Sequence, residues 1–151
     1  MEPYDSRSNT ITHIACVQYH LEQIVKDLLN RRDAHDASRL QEPEKSGYDQ
    51  WTPKLGAVAY GGEEYQAALV AMKPFLEHHY QNNDHHPEHF ELGINGMNLL
   101  QLLEMLADWK AAAMRHGDGD MRKSFEISKV RFGISEQLAS ILSSTIDYLG
   151  W

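Results

Sequence analysis

The most constraining feature of the sequence is the spacing of its apolar residues, which follows the period of an α-helix and nowhere alternates as in a β-strand. Between residues 14 and 28 the apolar residues mostly step by three or four, and a second such stripe runs from 138 to 149. Each stripe covers one face of a helix, which needs an apolar surface to pack against. The pattern predicts an all-α fold, a single compact domain of five or six helices.

Capping residues and helix breakers set the expected boundaries. Asn98 and Ser135 are suitable N-caps, and Thr10 or Thr12 suits the first helix, which follows an extended or disordered segment 1–10. Residues 41–62 and 81–96 are rich in Pro, Gly, Asn and His and are predicted loops, the first with one short helix. The predicted helices span about 12–32, 63–80, 99–116, 120–131 and 135–149, all within a helical domain 11–151.

Composition excludes several classes of protein. The chain has 151 residues, of which 42% are hydrophobic and 24% charged, as in one ordinary globular domain. Its formal net charge of −8 disfavours non-specific nucleic-acid binding. Cys16 is the only cysteine, so an intramolecular disulfide and a cysteine-based zinc site are both excluded. With no secretory signal and no long apolar run, the expected location is the cytoplasm, with no membrane association.

Histidine is unusually frequent and unevenly placed. Five of the nine histidines lie between residues 78 and 89, interspersed with Asp84 and Glu88. Imidazole is the commonest transition-metal ligand, and mixed imidazole and carboxylate donors suit Mn, Fe, Co, Ni or Zn. The cluster is therefore a candidate metal site, or else a solvated histidine-rich loop.

Three further positions have two interpretations each. His35-Asp36 offers adjacent donors to one metal, or a helix cap beside a surface histidine. His13 flanks the first apolar stripe, as a ligand or as a half-buried histidine bonded to another helix. Asp108 shares one helix face with Gln101, Glu104 and Arg115, and this face either meets water or lines a pocket.

Taken in chain order, these residues resemble the ligand series of the HD-domain metal-dependent phosphohydrolases. The series runs His13, His35-Asp36, His79, His85-His86, Asp108, and Arg39 stands where part of that superfamily has lysine. The chain more closely resembles a small uncharacterised family common in bacteriophage and bacterial genomes. That family's motifs correspond here to residues 35–39, 79–89 and 104–109.

The resemblance implies a helical HD-like domain that uses a metal-activated water to hydrolyse a nucleotide or another small phosphate mono- or diester. One or two divalent transition-metal ions would be held by His13, His35, Asp36, His79, His85, His86 and Asp108. Asp36, Arg39 and His89 are expected to take part in the chemistry. Arg39, Arg115 and Lys110 are the expected phosphate ligands, with Arg122 and Lys123 as weaker candidates. Glu42 and Glu88 are expected to orient ligand imidazoles.

Two other functions fit the same residues. Some proteins with HD-type helical cores hold two irons and activate oxygen. A metal-stabilised protein without catalytic activity, binding a nucleotide or another protein, is the third interpretation. Segment 41–62 is a candidate lid, with Tyr48, Trp51 and Tyr60 available for stacking. Tyr148 and Trp151 are candidates for a homodimer contact, and a phage-encoded copy would act in the cytoplasm of its bacterial host.

Overall fold

The computed structural model describes residues 4–58, 62–115 and 119–151, and all regular structure in these ranges is helical. Short 3₁₀ helices lie at Ala37–Leu40, Pro87–His89 and Gly93–Gly96. The all-α prediction is therefore confirmed, with six α-helices in the described ranges: α1 (Arg7–Ala34), α2 (Glu44–Ala57), α3 (Glu63–Asn82), α4 (Leu99–Ala113), α5 (Met121–Arg131) and α6 (Glu136–Tyr148).

The chain divides into two compact units, residues 1–34 and 35–151. The first unit is built on α1, which begins at Arg7 and is 28 residues long. None of its residues is buried, and stripe residues such as Val17 and Leu21 remain 41% and 54% exposed. The predicted amphipathic pattern is present, with its apolar face exposed.

Helix α2 occupies most of the segment that the sequence predicts to be a loop. Gly47 and Pro53 favour a loop by local propensity, yet both lie inside this helix. Packing explains the difference, because a Cβ atom on Gly47 would lie 2.3 Å from Cγ of Phe75 on α3. The glycine is therefore what allows α2 and α3 to approach closely, and tertiary contact outweighs the local preference. Tyr60, the third residue of the predicted lid, lies outside the described residues.

The apolar core of the second unit lies among α4, α5 and α6. Asn98 caps α4 through a capping box, and the side chain of Ser135 caps α6, as the sequence predicts. Trp151 is half-buried against this core and Tyr148 is 90% exposed, and their part in a homodimer contact stays a prediction. The buried apolar residues of the cluster are Ile94, Leu102, Met105, Leu106, Met121, Phe125, Ile134, Ala139, Leu142 and Ile146.

A neighbouring side of α4 contributes to a second interior, which is polar. It is closed by α2, α3 and the turns around residues 35–40 and 83–90, and its buried members include Glu44, His79, Asn83 and His85. A search of the described helices for one with the length and apolarity of a membrane span finds none.

Candidate metal centre

Four short stretches of the second unit supply the donor atoms of the polar interior. His35 and Asp36 lie in the turn before the 3₁₀ helix Ala37–Leu40, and His79 lies in the last turn of α3. His85 and His86 follow in the next turn, and α4 adds two acidic side chains. These residues form three overlapping groups whose donor atoms lie within 4.8 Å of one another: Asp36 with His79, His85 and His86; His35 with His85 and Glu104; and His35 with Asp36 and Asp108.

The first group has the spacing of ligands around one ion. Oδ1 of Asp36 lies 3.3 Å from Nε2 of His79 and 3.5 Å from Nε2 of His85. Nε2 of His79 lies 2.9 Å from Nε2 of His86. Donors that share an ion at about 2.1 Å are roughly 3.0–3.4 Å apart in octahedral or tetrahedral geometry. The four atoms therefore match one coordination sphere.

Two of these four atoms are buried without a hydrogen-bond partner among the described residues, Oδ1 of Asp36 and Nε2 of His85. A buried polar atom that lacks a partner costs about 1–3 kcal/mol, so such atoms are rare in folded proteins. Both face the centre of the same group. A bound cation would satisfy them together, and the donors present therefore fit a metal.

Glu44 fixes the orientation of His79 through Nδ1, the ring nitrogen that faces away from the donor group. Its side chain is 0% exposed, and Oε2 accepts a hydrogen bond from Nδ1 of His79 at 2.8 Å. Because a carboxylate can only accept, the proton sits on Nδ1 and the lone pair of Nε2 points into the group. His78 and Ser38 also donate to Glu44. Asn83 in turn donates to Ser38 at 2.7 Å, which extends the network.

The hydrogen bonds to Glu44 also set its charge. Burial alone raises the pKa of this carboxyl group, but the hydrogen bonds from His78, His79 and Ser38 outweigh that effect and bring the pKa below its ordinary value. Glu44 is therefore an anion at neutral pH. A buried anion bonded to the far side of a ligand histidine is the usual arrangement behind a protein metal site.

Glu104 has the same relation to two histidines. Its Oε1 lies 2.9 Å from Nδ1 of His35 and 3.2 Å from Nδ1 of His85. The hydrogen bond to Glu104 raises the pKa of His35, with Asp36 and Asp108 adding to the effect and burial opposing it. The Nε2 atoms of both imidazoles are thereby directed away from Glu104. Nε2 of His35 lies 3.9 Å from Asp36 and 3.8 Å from Asp108.

Asp36 links two of the groups with its two oxygens. Oδ1 faces His79 and His85, and Oδ2 accepts a hydrogen bond from Nη1 of Arg39 at 2.8 Å. Burial raises the pKa of Asp36, and the bond from Arg39 together with the nearby histidines lowers it further than burial raises it, so the net shift is downward. The carboxylate is therefore charged and placed between two sets of donors.

The backbone of Asp36 is in the left-handed region, with φ 53° and ψ 17°. Asp and Asn adopt this conformation more readily than other residues with side chains, at a modest energetic cost. Non-glycine residues held this way cluster at functional sites. Here the conformation places the carboxylate of Asp36 directly after His35, so that adjacent residues reach the same interior.

His86 is a neutral donor. Burial, together with the adjacent His85 and His79, lowers the pKa of His86 to about 3. Its imidazole therefore keeps a free lone pair at neutral pH, which is the form that binds metals.

Six of the seven predicted metal ligands meet in the second unit. His13 is an exposed residue of α1, in the first unit, and is in none of the three groups of described residues. The prediction that the shared face of α4 lines a pocket fits Gln101, Glu104 and Asp108, since Gln101 is buried and the two acids join the groups. Arg115 on the same face is exposed.

The predicted phosphate and proton-transfer residues are placed as follows. Arg39 is bonded to Asp36, and its guanidinium lies 4.0 Å above the ring of Tyr48. His89 is exposed, and its Nδ1 donates to the carbonyl oxygen of Tyr80 at 2.8 Å. Lys110 is half-buried near the end of α4. The roles assigned to these residues and to Arg115 stay predictions. Arg122, a weaker candidate, pairs with Asp147.

The sequence interpretation assigned the wrong carboxylates to the imidazoles. Glu42 accepts hydrogen bonds from Ser46, and Glu88 pairs with Arg131 at 2.8 Å. Glu44 and Glu104 perform the orienting role instead. The sequence does indicate Glu104 as a site residue, since it lies one helical turn before Asp108. It does not indicate Glu44, because the segment around Glu44 has the composition of a loop.

A model of a protein family described as a family of unknown function (DUF5662) matches residues 2–148. The chain belongs to this family. Neither a curated protein nor a solved structure gives a significant match.

Proposed function

We propose that the protein is a metal-dependent hydrolase of small phosphate esters, such as nucleotides. The observation that carries the proposal is the position of Asp36, whose two oxygens face two different sets of donors. A shared carboxylate of this kind is how proteins hold two ions a few ångströms apart for phosphoryl chemistry. The remaining order along the chain, from His35-Asp36 to Asp108, resembles part of the ligand series of the HD-domain phosphohydrolases and also supports the proposal.

The ligands divide into two sets. Asp36, His79, His85 and His86 would hold one divalent ion, and His35, Asp36 and Asp108 would hold a second. When bound, such ions lower the pKa of a coordinated water and polarise a phosphoryl oxygen. This donor set of nitrogen and oxygen suits Mn, Fe, Co, Ni or Zn.

The protein's own groups prepare the site for this chemistry. Glu44 and Glu104 hold the imidazoles in the tautomer that presents Nε2. Arg39 places a fixed positive charge beside Asp36, where an additional N–H can contact a phosphate oxygen. His89 donates Nδ1–H to a carbonyl oxygen, so its imidazolium form would carry on Nε2 the proton that passes to a leaving alcohol.

The test combines metal content with activity. Untagged protein purified without chelator should contain about one to two equivalents of a divalent transition metal. It should release phosphate or alcohol from p-nitrophenyl phosphate or bis-p-nitrophenyl phosphate. Asp36→Asn keeps a side chain that tolerates the left-handed backbone and removes the shared carboxylate charge. We expect this variant to lose most of its metal and its hydrolytic activity.

Asp49→Asn is the matched control, because Asp49 is an exposed residue of the same unit that pairs only with Lys45 among the described contacts. It should behave as the wild type in both assays. Equal metal content in Asp36→Asn and wild type would contradict the proposed site. Metal binding without hydrolysis of either ester, together with O₂-dependent substrate oxidation by iron-loaded protein, would assign the site to an oxygenase.

A further inference from the structure

One pocket of the second unit opens beside the metal-ligand groups. It has a volume of about 320 Å³, and His86 and Asp108 lie in its wall. That volume lies at the lower end of the range for small-molecule sites and exceeds the space that one phosphate group needs. The remainder of the wall therefore contacts whatever the phosphate is attached to.

Part of that wall is flat and apolar. Trp109 and Phe132 lie in it and stack on each other with nearly parallel planes, 8° apart, and centroids separated by 5.8 Å. Ile127 lies beside them. Such a surface favours a planar or apolar organic group.

Helix α5 adds polar side chains to the wall, which also includes Tyr80 and Glu88. Ser124, Ser128 and Arg131 line the pocket and follow one another at steps of four and three, so they share one face of the helix. Two hydroxyls and a guanidinium are the side chains that proteins use to bind oxyanions. The sequence interpretation named Arg122 and Lys123 on this helix and missed this face.

Arg131 is held in position by contacts within the protein itself. Its Nη2 donates to Oε1 of Glu88 at 2.8 Å, and its guanidinium lies 4.8 Å from the ring centroid of Phe132. A guanidinium carries five N–H donors, so the hydrogen bonds of Arg131 to Glu88 and Tyr80 leave others for a ligand. Because the guanidinium of Arg131 is already ordered before a ligand binds, less conformational entropy is lost on binding.

We propose that the α5 face formed by Ser124, Ser128 and Arg131 binds a second oxyanion of the substrate. The substrate class is then a phosphate ester whose flat or apolar organic part carries a carboxylate or a further phosphate. This inference rests on the proposed function, because the first phosphate is placed at the metal ligands. It adds a specificity residue, Arg131, and a chemical requirement for the leaving group.

The experiment measures binding, so that it does not depend on hydrolysis. Phenylphosphonate and 3-carboxyphenylphosphonate, which have stable C–P bonds, are titrated calorimetrically into the metal-loaded protein. We expect the wild type to bind the carboxylated compound about tenfold more tightly or better. Arg131→Gln should abolish this preference and leave the affinity for phenylphosphonate within about twofold.

Three further variants sharpen the result. Glu88→Gln should increase the preference, because it removes a negative charge from the pocket wall and keeps an oxygen that can accept from Arg131. Ser128→Ala should reduce it in part, and provides a second test if Arg131→Gln fails to fold. Lys129→Gln removes a charge elsewhere on α5, where Lys129 pairs with Glu136, and should leave the preference unchanged.

Equal affinity of the wild type for the two compounds would overturn the inference. So would an equal loss for both in Arg131→Gln, which would place Arg131 on the first phosphate instead. A carboxylate preference that depends on Arg131, in a protein that hydrolyses no ester, would support this site while refuting the proposed hydrolysis.

Discussion

Helix α4 separates two interiors of opposite character. One face carries Leu102, Met105 and Leu106 into an apolar core, where Met105 and Leu106 are each 1% exposed. The other face carries Glu104 and Asp108 into the metal-ligand groups. The apolar interior is stabilised by the hydrophobic effect, which is non-directional and whose free energy scales with the apolar area removed from water. In the polar interior nearly every donor and acceptor has a named partner.

The two interiors differ in whether their own side chains satisfy them. The apolar core requires only close packing, which its own side chains provide. The polar interior leaves Oδ1 of Asp36 and Nε2 of His85 buried without partners among the described residues. Substitutions in the polar interior should therefore change the free energy of unfolding by an amount that depends on bound metal. Substitutions in the apolar core should change it equally with and without metal.

The largest effect on stability is expected from the apolar side. Leu106→Ala removes a fully buried side chain and should lower the free energy of unfolding by about 2–5 kcal/mol. The loss should be the same with and without metal, because Leu106 is not among the ligand groups. Chemical denaturation in chelator and in added metal measures both values.

Leu103→Ala is the control for this substitution, since Leu103 on the same helix is 38% exposed and should cost far less. A Leu106→Ala variant that lost stability only in the metal-bound state would mean that the two interiors act as one unit.

Gly47→Ala should lower the free energy of unfolding by about 1–3 kcal/mol, because it overpacks the contact between α2 and α3. The added methyl group would meet the ring of Phe75, so the ring or the two helices must shift to relieve that contact. Since α2 carries Glu44 and α3 carries His79, metal affinity should fall as well. Thermal unfolding and metal titration of the same variant test both effects.

Gly56→Ala is the matched control within α2, because nothing lies within 4 Å of the position its Cβ atom would occupy. It should be neutral, or stabilising by up to about 1 kcal/mol through helix propensity. If both variants bound metal as the wild type does, the close approach of α2 and α3 would not matter for the site.

Glu104→Gln isolates the contribution of charge behind the histidines. The substituted side chain keeps an oxygen that can accept from His35 and His85, but it loses the negative charge that makes the imidazoles better ligands. We expect metal affinity to fall about 10–100-fold, with a smaller change in the metal-free stability. Competition titration with a chromophoric chelator measures the affinity.

Glu136→Gln, a change at a side chain that is 88% exposed on α6, should leave metal affinity unaltered. Unchanged affinity in Glu104→Gln would show that hydrogen-bond geometry alone prepares His35 and His85.

The two interiors also differ in how far the sequence predicts them. The apolar core follows from periodicity, so Leu102, Leu106 and Ile146 are recognisable as inward-facing residues from their spacing alone. The ligand residues are recognisable from their chemistry and order. Glu44 is not, because its role depends on α2, a helix that packs through Gly47 although its residues locally favour a loop. A contact between two helices of this kind leaves no trace in the local pattern of either one.

Tyr48 gives the smallest and most specific test, at the edge of the polar interior. It lies on α2 below the guanidinium of Arg39. Burial raises the pKa of Tyr48 to about 12; Arg39 opposes the shift, and the carboxylates of Glu44 and Asp36 add to it. The folded protein thus holds this proton more tightly than the unfolded chain, in which the pKa is about 10. The stabilisation is fully present below about pH 10 and is lost as the pH rises toward about 12.

The comparison of metal-free wild type with Tyr48→Phe isolates this contribution from the other groups that titrate at high pH. The difference in unfolding free energy between them should be constant below about pH 9.5. Above about pH 10 it should shift in favour of Tyr48→Phe by up to about 1.4 kcal/mol per pH unit, because only the wild type must keep a buried phenol protonated. A difference that stayed constant up to about pH 11 would mean that Tyr48 is open to solvent. The polar interior would then be closed on this side by Arg39 and Asp36 alone.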